Sequence, residues 1–225
     1  VARSTTATRV NEAGLIEETP YNLLSYSEQF DNGTWTKYNT TVTANTTISP
    51  NGQLTADKLI ENASNSNHEI SQQRSGFLIG NSYTFSFFAK AGERTFTRIN
   101  SNGAGFGTQD YAVYDLSLGI VKGKGTNGTA NIQNVGNGWF RCIRTITAIS
   151  SGNWSMFVGL STGLDVRGES YQGDGTSGIY IWGGQIEQGS VAKPYFPTTT
   201  RLNVPQIDYT DGCPSILIEP QRTNL

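Results

Sequence analysis

The chain has 225 residues, a formal net charge of −2, 15% charged residues and 26 glycines. That leaves no basic field for nucleic acid as the main partner, and no run approaches the ~18 apolar residues that a membrane helix needs. The polar remainder is rich in Thr, Asn and Ser, which favours short strands joined by tight turns over helices.

In chain order, residues 1 to 20 read as a short strand around Arg9-Val10, a turn over Asn11 to Gly14, and a second short strand before Pro20. No signal-peptide pattern is present, and a start at Val1 rather than Met is expected of a processed or excised fragment. Phe30 and Trp35 flank the turn Asp31 to Gly33 as core anchors. Thr40 to Thr47 alternates at period two, and Thr55 to Ile60 follows as a strand after Pro50-Asn51-Gly52. His68, the single histidine, is read as a surface residue of a polar loop, and His68 to Gln72 as a weak strand.

Ser82 to Ala91 is stronger: Tyr83, Phe85 and Phe87 share one face, and Thr84, Ser86 and Phe88 the other. Thr95 to Asn100 places Phe96, Arg98 and Asn100 on one polar-aromatic face. Strand signals recur at Tyr111 to Leu116, Ile120-Val121, Ala130 to Val135, Trp139 to Ile149 and Ser155 to Leu160. A long polar loop, 161–177, then precedes Ile179 to Trp182. Gly183-Gly184 should bulge that last strand, and Pro194 and Pro197 turn Tyr195-Phe196 into an extended strap that plugs one end of the fold. No helical period persists beyond a turn or two. The fold class is all-β, an antiparallel β-sandwich.

The ends repeat. Thr8-Arg9-Val10-Asn11 recurs as Thr200-Arg201-Leu202-Asn203, and Leu15-Ile16-Glu17-Glu18 has a counterpart in Leu217-Ile218-Glu219-Pro220. The expected layout is therefore a connector over 1–20, a sandwich module over 21–198, and a second connector over 199–225 leading toward a further module. Cys142 and Cys213 are too few for a disulfide framework and read as idle thiols.

A resemblance runs along most of the chain. Asn22-Leu-Leu-Ser-Tyr-Ser-Glu-Gln-Phe30, Tyr83-Thr-Phe-Ser-Phe-Phe-Ala-Lys-Ala-Gly92, Gly138-Trp-Phe-Arg141 and Tyr180-Ile-Trp-Gly-Gly-Gln-Ile-Glu187 carry it, with the connector Cys213 to Leu225. Together they resemble a module of bacteriophage tail-fibre and other virion proteins, itself similar to carbohydrate-binding-module jelly rolls. The resemblance implies a jelly roll on the surface of a virion, with host-surface polysaccharide and other virion proteins as partners. It names no particular sugar. Modules of this kind often hold a structural Ca²⁺, but Glu28 and Asp31 read as turn formers, and no metal or cofactor is assigned. A homotrimer would suit a fibre, although no coiled-coil heptads support one.

Catalysis needs convergent acid, base or nucleophile groups. His68 has no Ser or Cys motif beside it, and Asp165, Glu169 and Asp174 occupy one glycine-rich loop, so no enzyme is expected. Sugar binding needs an aromatic platform beside fixed polar groups. Phe96, Arg98 and Asn100, with Gln109 and Tyr111 beyond the glycine loop, have that chemistry, and Trp154 and Tyr171 border the other long loop. Most of the 24 aromatic residues (ten Phe, ten Tyr, four Trp) must instead be core, Trp35, Trp139 and Trp182 among them. The expected function is a non-enzymatic virion module that binds host carbohydrate. The alternatives are a purely structural virion module, or a binding module cut from a polysaccharide-degrading enzyme.

Overall fold

The computed structural model describes residues 21–200 and, outside them, residue 15 and four short backbone strands. Two of these, β1 (Thr8–Val10) and β2 (Ile16–Glu18), pair antiparallel. The body comprises β3 (Thr36–Tyr38), β4 (Thr40–Thr47), β5 (Ala56–Glu61), β6 (Asn65–Ser66), β7 (Glu69–Phe77), β8 (Ser82–Ala91) and β9 (Phe96–Ser101). After a single helical turn, α1 (Gly103–Phe106), come β10 (Tyr111–Asp115), β11 (Ile120–Lys124), β12 (Thr129–Gly136), β13 (Trp139–Thr147), β14 (Gly152–Ser161), β15 (Tyr171–Gln172) and β16 (Gly178–Gln188). The last pair is β17 (Ile207–Asp208) with β18 (Ser215–Ile216).

Two six-stranded antiparallel sheets form the sandwich. The first is ordered β11-β10-β9-β14-β7-β3, the second β12-β13-β8-β16-β5-β4. The chain crosses between sheets after β3, β5, β7, β8, β11, β13 and β14, the winding of a jelly roll. The period-two pattern of β8 works as expected. Tyr83, Phe85 and Phe87 enter the core between the sheets, opposite Ile70, Ile99, Val158 and Leu160 from the first sheet. Phe106, from α1, closes one end with its ring edge-on to Phe77 and Phe85, each 5.5 Å away. Leu24, Phe30 and Trp35 seal the core beside the bulge of β16. There Leu23 N donates to Ile186 O (2.8 Å) and Gly184 N to Ser27 O (2.9 Å), so this segment takes the place that β5 occupies further up the strand.

Two expectations are corrected. The strap does not plug an end of the sandwich; it lies on the outward face of the second sheet, where Tyr195 packs on Trp182 (4.8 Å) and Phe88 (5.7 Å). Gln185 Oε1 and Glu187 Oε1 hold it there by accepting the backbone N–H groups of Phe196 and Lys193. Trp139 and Trp182 are buried as expected, in this outer cluster. His68 is not on the surface at all: it is 0% exposed. Cys142 is buried as a free thiol, whereas Cys213 and the repeat in the second connector lie outside the described residues, apart from the backbones of β17 and β18.

Candidate functional site

The outward face of the first sheet collects most of the candidate residues, and the registers set their rows. Asn100 lies between Tyr111 on β10 and Phe157 on β14, and Phe157 lies opposite Ser71, itself opposite Thr36. In the next row Arg98 lies between Val113 and Gly159, with Glu69 and then Tyr38 beyond. Tyr38 is 42% exposed, and its ring is 6.1 Å from that of the half-buried Phe157. These two rings, with the exposed Thr36 and Gln73, make the open part of the face.

Arg98 is not part of that open surface, because it is 0% exposed. Its side chain crosses over Gly159, where an added Cβ would sit only 2.9 Å from Nε. On the far side Nη2 meets Glu69 Oε2 at 2.9 Å, while Nη1 donates to Leu160 O at 3.1 Å. A side chain at 159 would occupy the path of the guanidinium, so the glycine and the ion pair go together. Arg98 is a strut between strands rather than a contact for a ligand. Asn100 is 6% exposed, and its Oδ1 has no hydrogen-bond partner within the protein.

The long loop 161–177 folds back over the β9–β10–β11 side of this face. Gly163 sits over the ring of Phe96, and Asp165 occupies the space above Gly123. Tyr111 Oη donates to Asp165 O at 3.1 Å, and Arg167 Nη2 reaches Ser101 O. Glu169 ties the loop to its own start: Oε2 accepts from Ser161 Oγ (2.6 Å) and Thr162 N (2.9 Å). Phe96 and Tyr111 are therefore partly roofed by the loop. Gln109 is exposed in the loop before β10, and its carbonyl faces Arg144.

The remaining two candidates are elsewhere. Trp154 packs on the core side of the sheet end, against Gly105, with Nε1 donating to Ser150 O at 3.3 Å. Tyr171 belongs to a polar cluster at the base of the loop. Its Oη donates to Glu61 Oε2 (2.7 Å), and Arg94 meets both Glu61 oxygens while lying 5.2 Å over the Tyr171 ring. Burial would raise the Glu61 carboxyl, but the bonds from Arg94, Tyr171 and Asp174 N outweigh it and hold Glu61 below its ordinary range. Burial pushes the Tyr171 phenol well up, and the bond to Glu61 adds to that.

Sequence reading missed Tyr38, Phe157, Ser71 and Glu69. The alternation of Ser155, Phe157 and Gly159 against Met156, Val158 and Leu160 carried a signal for Phe157. Tyr38 sits in a three-residue edge strand too short to show a period. Among the described residues, no three His, Cys, Asp or Glu side chains converge as a metal site.

No protein-family profile and no curated protein sequence matches the chain. Among solved structures it is similar to the enzymatically active domain of tailspike protein 4 of bacteriophage CBA120, at 18% identity and a TM-score of 0.46. The match covers 75% of this chain but only 22% of that one. It is also similar to TmCBM61, solved in complex with β-1,4-galactotriose, at 11% identity and a TM-score of 0.45. That match covers 76% of this chain and 100% of the other. The strand registers, not these likenesses, carry the account of the site.

Proposed function

We propose that this chain is a non-catalytic module that binds carbohydrate on the open part of its first sheet, in a bacteriophage fibre or comparable virion protein. The observation that carries the reading is the exposed Tyr38 ring beside Phe157, on a floor lined by Ser71 and the exposed Gln73. A sugar ring presents C–H groups that pack on aromatic faces, and hydroxyls that need donors and acceptors fixed in place. Strands hold these side chains at a set spacing, so little ordering is needed on binding. The carboxylates nearby are engaged structurally: Glu69 by Arg98, and Glu169 by Ser161 and Thr162. That supports binding without hydrolysis. The placement in a virion rests on the sequence resemblance.

The test is a glycan array, including extracted bacterial surface polysaccharide, with the native protein and with Tyr38→Ala and Phe157→Ala. Saturable binding lost in Tyr38→Ala at an unchanged melting temperature is the expected result. Binding that survives both substitutions would move the site off this face. No binding to any glycan would replace the reading with that of a structural module.

A further inference from the structure

Each of the two large sheets ends in two edge strands, and three of those four edges are guarded against pairing with another chain. β3 is only three residues long. β4 is interrupted between Thr43 and Thr47, where the register shifts and Asn45 turns to φ +55°. β11 carries Lys122 and Lys124, and its register shifts against β10. Short strands, bulges and lysines are the devices that keep an edge from adding a foreign strand.

β12 has none of them along most of its length. It is eight residues long, holds no charged residue and no proline, and keeps one register with β13 from Thr129 to Asn134. Beyond it the sheet has no further strand among the described residues. Ala130 and Ile132 pack half-buried on the core, whereas Asn131 and Gln133 are exposed on the outward face. Ile132 N donates to Asn131 Oδ1 at 2.8 Å, the side chain of its own neighbour. The backbone of Ile132 is thus turned away from β13 toward the open edge, and those of Ala130 and Asn134 share its orientation by the alternation of an antiparallel ladder.

We propose that β12 is a self-association edge, onto which a second copy of this chain adds its own β12, antiparallel, across a two-fold axis. A two-fold contact must be self-complementary, each residue i meeting a j that meets i in return. Centring the pair on Ile132 sets Ala130 opposite the partner's Asn134, so every edge-facing backbone group in the strand meets another. On the outward face Asn131 then lies opposite the partner's Gln133, two amides that each donate and accept. A neutral strand meets its own copy without like charges in opposition, which a charged strand does not. The opposing term comes from β11, which lies alongside β12 and brings Lys122 and Lys124 toward their copies, but Asp165 sits over Gly123 between them. The contact joins the two second sheets into one, and an axis normal to that sheet turns both first sheets to the same side. The pairing stands apart from the carbohydrate reading; taken with it, two platforms face one surface and act together.

The experiment is sedimentation velocity on the native protein from about 1 μM to about 1 mM, beside two double variants of the exposed pair. Asn131→Lys with Gln133→Lys sets like charges opposite each other across the axis, whereas Asn131→Lys with Gln133→Glu sets opposite ones. A monomer–dimer equilibrium is expected, with the dissociation constant raised about tenfold or more in the first variant and not in the second. Melting temperatures under dilute conditions should agree among all three, because both positions are exposed. A native protein that stays monomeric throughout, a trimer, or a dimer on which the two variants act alike would overturn the proposal. Amide exchange checks the native protein alone. The Ile132 amide should exchange more slowly at high concentration than at low, and an unchanged rate in the dimer would also overturn it. None of these readouts involves a glycan, so the edge and the carbohydrate reading can fail separately.

Discussion

Truncating Arg98 should destabilise the fold rather than simply remove a ligand contact. The guanidinium is 0% exposed and the Glu69 side chain 11% exposed, with 2.9 Å between Nη2 and Oε2. Arg98→Ala leaves the Glu69 carboxylate buried without its cation, which in comparable sites costs about 3–5 kcal/mol. With a urea m-value of about 2–3 kcal/mol/M, the unfolding midpoint should fall by about 1–2.5 M without a change in m. Replacing both partners by apolar residues of similar length, Arg98→Met with Glu69→Met, removes the stranded charge. It should recover most of the loss, because a buried ion pair and a well-packed apolar pair are often near equal in stability. Urea melts of the single and double variants, followed by tryptophan fluorescence, make the comparison. A cost below about 1 kcal/mol for Arg98→Ala, or a double variant no better than the single, would refute the argument that this pair is desolvated. The same reasoning makes Arg98 a poor probe of ligand binding, which is why Tyr38 is the better one.

Two further outcomes follow from other parts of the structure. Asp57 is 1% exposed and accepts the backbone N–H groups of Phe30 and Asn45. Burial outweighs those bonds and raises its carboxyl from 3.8 to about 6. The folded state thus binds this proton more tightly than the unfolded one, and Asp57's contribution to stability falls as pH rises from about 4 to about 6. The full effect is about 3 kcal/mol at 1.36 kcal/mol per pH unit. Melts across that range should show the slope in the native protein and not in Asp57→Asn, and equal slopes would refute the assignment. At the β16 bulge, Gly183 has φ +61° and an added Cβ would lie 2.9 Å from the Phe88 ring. Gly183→Ala should cost about 1–3 kcal/mol, seen as a lower melting temperature, while Gly33→Ala, in open space, should change little.

Much of the sandwich was legible because a strand writes its two faces into every second residue. Tyr83, Phe85 and Phe87 against Thr84, Ser86 and Phe88, the shared face of Phe96, Arg98 and Asn100, and the interruption at Gly183-Gly184 are all local patterns. The structure keeps each of them. Local alternation says which side chains share a face, but not what lies above that face. Arg98 is buried because β14 presents a glycine at 159 for it to cross, and because Glu69 waits two strands away. Phe96 and Tyr111 are partly roofed because Glu169 closes the loop on Ser161 and Asp165 settles over Gly123. His68 is interior because the same loop brings Tyr171 back to it from 103 residues along the chain. Apart from Glu169 and Ser161, which close one loop, none of these partners is near in sequence, so no spacing announces them. The residues alone determined the strands and their sidedness, while packing between distant segments decided which side chains remain open to a ligand.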